Sequence, residues 1–172
     1  MQVLEIPAPI SPKRISLLES RGIDRRIAKI DLEMVKMKLR ESKEGIDWTN
    51  EQVEAAEIEY KRYLTLCLRY PYPAHSVVPN KIMDTMWHYH ILDTRAYIKD
   101  CDHVFGHYFH FGLRGEEDAT NLIKAFEQTK RFYESMFGER IDHAVAGDCW
   151  HDCSNRCWHA CSGGGGGGDD DD

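Results

Sequence analysis

No apolar run in this chain approaches the ~18 residues that a membrane-spanning helix needs. The first residues, MQVLEIPAPISPKR, also lack the basic-then-apolar order of a secretory signal. A cytoplasmic protein without membrane contact is the expectation. Equally missing are the short signatures of the large enzyme classes: a G-x-S-x-G nucleophile turn, a phosphate-cradling loop, a dinucleotide fingerprint opening a helix, and the H-E-x-x-H of zinc hydrolases. An enzyme of recognised class is therefore not expected, and neither is an organic cofactor. Period-two alternation of apolar and polar residues is absent too, which argues against half-buried strands.

What is present is the composition of a folded domain, with 42% hydrophobic and 30% charged residues in a chain of 172. The net charge of -7 is unevenly spread. From Asp142 onward there are seven Asp and one Arg, leaving 22 acids and 21 bases in residues 1–141. A body that is nearly neutral exerts no global field on a polyanion, so nucleic-acid binding is disfavoured. The same terminal stretch holds four of the six Cys and seven of the thirteen Gly. Four parts follow: an extended arm with Pro7, Pro9 and Pro12 (1–12), a helical domain (13–141), a Cys/His/Trp segment (142–162) and a flexible Gly/Asp tail (163–172).

Helical spacing dominates the domain. A short apolar piece, Ile15 to Leu18, precedes Gly22. Asp24 then suits an N-cap for a helix with Ile23, Ile27, Ile30, Met34 and Met37 on one face. Thr49 and Gln52 form a capping box ahead of the stripe Val53, Ala56, Tyr60, Tyr63 and Cys67, which Pro71 and Pro73 end. Pro79 and Asn80 open a third helix, where Met83, Trp87, His90, Thr94, Tyr97 and Cys101 make the strictest stripe of all. A fourth carries Ala119, Leu122, Phe126, Thr129, Tyr133 and Met136, with Gly138 as its stop. The expected fold is all-α: a bundle of four main helices plus a short N-terminal one.

Chemistry concentrates in two places. Between His75 and His110 lie six of the nine His. On a continuous helix His88 and His90 point ~160° apart and cannot share an ion. His90, on the apolar stripe, reads as a buried imidazole bonded to a neighbour such as Thr94. His88 stands one turn after Asp84, a spacing that suits either an imidazole oriented by a carboxylate or two metal ligands of a site completed by His107 or His110 folding back. Cys101 reads as a buried thiol.

Asp84 through His110 follows D-x-x-W-H-x-H-I-L-D-T-x-x-Y-x-x-D-C-x-x-x-F-G-x-x-x-H, which resembles the signature of the glycine-rich domain-containing protein-like family; EYKRYL upstream and FYESMFG downstream also match. The resemblance spans roughly Trp48 to Phe137 together with the Cys- and Gly-rich end. It carries over Asp84, Trp87, His88, Thr94, Tyr97, Cys101, Phe105, Gly106 and His110. Members commonly place a second His after the last of these, where this chain has Phe111. The resemblance implies a fold unit and no reaction, and the RNA-binding motif proposed for plant relatives has no counterpart here.

The second place is CWHDCSNRCWHAC, the module C-W-H-x-C written twice. Its candidate ligands are Cys149, His151, Cys153 and then Cys157, His159, Cys161. On an unbroken helix these thiols fan over ~18 Å, so a single tetrahedral site is excluded, but i, i+4 pairs or a wrapped segment can chelate. Soft thiolates beside imidazoles select Zn or Cu(I) over Mg or Ca. The expected function is a helical binding module, metal-binding through this repeat and, as a second locus, the His-rich centre. Two alternatives stand beside it. One is an interaction scaffold that meets an unidentified protein partner through the aromatic loop Phe105 to Phe111 and carries a redox-sensitive Cys tail. The other is a metal-dependent hydrolase using Asp84 and His88.

Overall fold

The computed structural model describes residues 9–41, 47–110 and 119–141. Among them are seven helices and no strand: α1 (Pro12–Ser20), α2 (Arg25–Ala28), α3 (Glu33–Arg40), α4 (Asn50–Arg69), α5 (Lys81–Leu92), α6 (Thr94–Phe105) and α7 (Ala119–Phe137). The all-α class expected from the sequence is observed. None of these helices is long and apolar enough to cross a membrane.

Helix α4 is the spine, against which α2, α3, α5 and α7 pack. It begins at the expected capping box. The Thr49 hydroxyl accepts the Gln52 N–H (3.2 Å), and the Gln52 side chain accepts the Thr49 N–H (2.8 Å). Its predicted stripe, Val53 to Cys67, is buried throughout. Helix α7 likewise buries Leu122, Phe126, Thr129 and Tyr133 and stops at Gly138.

Two expected helices are broken, each for a visible reason. The first divides into α2 and α3. Asp24 caps α2 by accepting the Arg26 N–H (2.9 Å), but the chain leaves helical geometry after Lys29 and re-enters at Glu33. The break frees the carbonyls of Ala28 and Ile30, which accept from the fully buried Lys61 ammonium at 3.3 and 2.7 Å. Beyond the break the buried face changes. Ile23, Ile27 and Ile30 are inside as expected, whereas Met34 and Met37 are exposed and Val35 and Leu39 take their place.

The third helix divides at Asp93, whose side chain caps α6 by accepting the Ala96 N–H (3.4 Å). Thr94 is consequently exposed. The bend brings together residues that a straight helix would hold ~15 Å apart. Thus the Trp87 indole N–H donates to the Tyr97 hydroxyl (2.9 Å), and His90 reaches Asp100 (2.9 Å).

Arg62 of α4 locks the C-terminal end of α7. Its Nη1 donates to the Tyr133 hydroxyl (2.9 Å) and to Glu139 (2.8 Å), its Nε donates to the Arg21 carbonyl (3.1 Å), and its plane lies over the Phe137 ring. At the same junction Gly22 holds φ +84°, and a Cβ built there would sit 2.8 Å from the Phe137 ring. Gly22→Ala therefore combines a left-handed backbone with a steric clash. We expect a loss of about 1–3 kcal/mol, read as a lower urea midpoint at unchanged m-value.

Candidate functional site

Proline and glycine shape a region of the described residues where aromatic rings and imidazoles gather. Pro71 stands just beyond the last turn of α4, and the chain runs in non-helical form until Asn80 caps α5 by accepting the Met83 N–H (2.8 Å). Midway, the Val78 N–H donates to Thr129 Oγ1 (2.9 Å), pinning this segment to α7. At the end of α6, Gly106 adopts φ +73° and turns the chain back. Phe109 can then stack on Trp87 (5.0 Å between centroids) and on Phe105 (4.7 Å), while its carbonyl accepts from the Tyr97 hydroxyl.

Between these two segments lies a cleft of about 840 Å³. Its floor is Tyr63, Cys67 and Trp87, its sides are Tyr70 and the 76–79 segment, and its rim carries Tyr72, Tyr108 and three imidazoles, His75, His107 and His110. His75 is fixed edge-on against Tyr70 and Phe132, which stack on each other at 3.8 Å. His107 Nδ1 sits 3.0 Å from the Tyr108 carbonyl, which can only accept, so that nitrogen carries the proton. His110 meets Tyr108 edge-on at 4.8 Å. Among the described residues no Asp, Glu, Lys or Arg lines this space.

As a reaction centre the cleft is poorly equipped. Burial pushes the Cys67 thiol up to about 12, so the thiolate that a nucleophile requires is not populated near neutrality. Burial likewise raises the Tyr63 phenol well above its usual range, with nearby Cys67 and Asp84 adding to the effect.

The expected site residues of the His-rich centre separate into three environments. Asp84 is buried near Tyr63, His88 on the next turn is exposed, and neither lines the cleft that holds His107 and His110. Among the described residues no group of three or more His, Cys, Asp or Glu could hold a metal ion. The structure does not bring Asp84, His88, His107 and His110 together as one ligand set. Cys149, His151, Cys153, Cys157, His159 and Cys161 lie outside the described residues, as does Phe111.

His90 is buried and hydrogen-bonded, but not to Thr94. Its Nε2 donates to Asp100 (2.9 Å), since a carboxylate can only accept, and its Nδ1 then accepts from the Tyr60 hydroxyl (2.9 Å). This Tyr60–His90–Asp100 chain ties α4, α5 and α6 together inside the core. Cys101 is buried, as its position on the stripe predicts, and its thiol is also raised by burial. Of the described residues of the loop from Phe105, Phe105 and Phe109 pack against the core, and Tyr108 is an exposed large apolar ring, at 40%.

His75 was the site residue that spacing alone did not single out. It stands 32 positions before His107, and only the bend at Asp93 and the turn at Gly106 bring the two segments to one cleft. The aromatic clusters YPYPAH and FGHYFHF, each a run of rings with imidazoles, were the available signal.

A family model described as UCP032817-like matches residues 24–136. No curated protein and no solved structure matches the chain. The matched span runs from the cap of α2 almost to the end of α7, so it takes in both walls of the cleft and leaves the Cys/His/Trp repeat outside.

Proposed function

The chain belongs to the UCP032817-like family, and we propose that it is a binding module in which a helical body carries a thiophilic metal site on its C-W-H-x-C repeat. The affiliation we propose within that frame is to the glycine-rich domain-containing protein-like family, on the motif from Asp84 to His110. One observation carries the metal reading: two thiol pairs, each with a Trp and a His in the same register, recur in Cys149–Cys153 and Cys157–Cys161. The dispersal of Asp84, His88, His107 and His110 supports placing the metal on this repeat, since the His-rich centre offers no three-ligand group among the described residues. Zn or Cu(I) suits the donors. Coordination would proceed with loss of the thiol protons, so uptake rises with pH.

A cytoplasmic, reducing setting favours metallated thiols over permanent disulfides. The hydrolase reading draws less support, since Asp84 is buried and His88 exposed. The scaffold reading loses support from the inward packing of Phe105 and Phe109. Elemental analysis of full-length protein purified under reducing conditions tests the proposal. We expect about one or two equivalents of a thiophilic ion, lost when the four tail Cys become Ser. Metal retained in that variant would move the site to the imidazoles of the body. Metal-free protein in both forms would overturn the reading in favour of the interaction scaffold.

A further inference from the structure

We propose that the cleft between α4, the 70–79 segment and the 106–110 loop is a binding site for a small planar aromatic acid, its ring against the aromatic walls and its carboxylate at the imidazole rim. The volume of about 840 Å³ falls within the range of small-molecule pockets. Tyr63, Tyr70, Tyr72, Trp87, Tyr108 and Phe109 line it, so a planar apolar body is the shape that gains most. Two of those rings, Tyr72 at 79% and Tyr108 at 40% exposed, stand at the mouth where an entering ring would cover them.

Charge selects the other end of the ligand. A cation would find no carboxylate among the described lining residues, and two of the aromatic faces that could substitute are engaged, Trp87 with Phe109 and Tyr70 with Phe132. An anion meets no like charge among those residues, and it finds phenol hydroxyls able to donate and imidazoles able to take up a proton. His107 is already oriented: Nδ1–H is held by the Tyr108 carbonyl, which leaves Nε2 for a ligand. That nitrogen pairs with a carboxylate once the ring has taken up a proton from solvent, leaving an imidazolium–carboxylate pair. A neutral alcohol of the same shape can only donate its hydroxyl to Nε2 of the uncharged ring. Bonds to a charged acceptor are the stronger kind, which makes the acid the favoured member of the series. Among the described residues the imidazoles of the rim do not form a three-ligand group, which favours an organic anion over a metal ion as the occupant.

Calorimetric titration of the full chain, with EDTA present so that tail-bound metal cannot ligate the probe, tests this. The probes are 2-naphthoate, 2-naphthylmethanol and 2-naphthylmethylammonium. We expect one equivalent of naphthoate to bind at least about tenfold more tightly than the alcohol, and the ammonium to bind most weakly. In the His75→Gln/His107→Gln variant the preference for the acid should vanish while alcohol binding persists, which also reports that the cleft is still folded. Tyr108→Ala should weaken acid and alcohol alike. Equal affinities for the three probes, a preference for the ammonium, or no uptake of naphthoate would overturn the proposal.

Discussion

Replacing Glu57 with leucine should cost about 3–5 kcal/mol, among the largest losses any single substitution in this protein will produce. Glu57 sits in α4 with 2% exposure and serves three cations at once. Its Oε1 accepts from Lys61 (2.8 Å), and its Oε2 accepts from Lys36 (2.9 Å) and Arg14 (2.8 Å). Lys61 is fully buried and Lys36 nearly so. Without the carboxylate the Lys61 ammonium stays inside with its charge uncompensated, while Lys36 keeps Glu33 and Glu54, so the penalty is chiefly that of Lys61. Glu54 touches Arg14 and Lys36 as well, but its side chain is 45% exposed. Glu54→Ala should therefore cost under about 1 kcal/mol. Adding Lys61→Met to Glu57→Leu should recover part of the loss and not all of it. The Ala28 and Ile30 carbonyls that Lys61 caps would then lack their donor.

The same group sets an acid limit on stability. Burial alone would raise the Glu57 carboxyl, but the combined pull of Lys61 and Lys36 outweighs it and holds the group at about 2 against an ordinary 4.5. A carboxyl whose folded pKa is depressed contributes stability that is fully present above its unfolded value and is lost as pH falls toward the folded one. Urea midpoints should therefore fall between about pH 4.5 and 2, a window taken from those two values. In Glu57→Leu that part of the acid sensitivity should be missing. An unchanged midpoint in the variant at neutral pH would show that the cations find water or other partners, and would remove Glu57 from the centre of the network.

Local signals and long-range ones were legible to different degrees. The capping box of Thr49 and Gln52, the Asn80 cap and the stop at Gly138 are decided within one turn, and each stands where the sequence puts it. The alternating stripe from Met83 to Cys101 was misleading because both of its halves face the core. A single non-helical residue at Asp93 interrupts the helix without spoiling the spacing. The pair Asp93-Thr94 was the local clue, an N-cap residue type in mid-stripe. The break before Glu33 had the local clue of Asp31, whose side chain accepts the Glu33 N–H (2.9 Å), but the buried group that also stabilises it, Lys61, is supplied by another helix. For the same reason the Tyr60–His90–Asp100 chain and the meeting of His75 with His107 and His110 could not be read from spacing. Each joins segments whose approach depends on how the bent helices fold over α4.

Trp87→Ala provides the counterpart on the apolar side, with an expected cost of about 3–5 kcal/mol. The indole is 3% exposed, stacked on Phe109 at 5.0 Å and tilted against Tyr63 at 5.4 Å, and its N–H donates to Tyr97. Truncation removes the ring that joins α5 to the 106–110 loop and opens a cavity beside the floor of the cleft. His88→Ala, at the adjacent but exposed position, should change stability by no more than about 0.5 kcal/mol. Large and equal losses from both would mean that His88 carries structural weight its exposure does not suggest. Trp87→Phe keeps a six-membered ring for the stack on Phe109 but loses the N–H and the buried volume of the five-membered ring, so about 1–3 kcal/mol is expected. Because the Phe109 carbonyl accepts from the same Tyr97 hydroxyl that receives the indole N–H, the alanine variant should loosen the loop before the body unfolds. Amide exchange across residues 106–110 should then rise at denaturant concentrations where α4 is still protected. Simultaneous exposure of both would show that the loop and the helical core unfold as one unit, and that Trp87 stabilises the bundle directly instead of through the wall of the cleft.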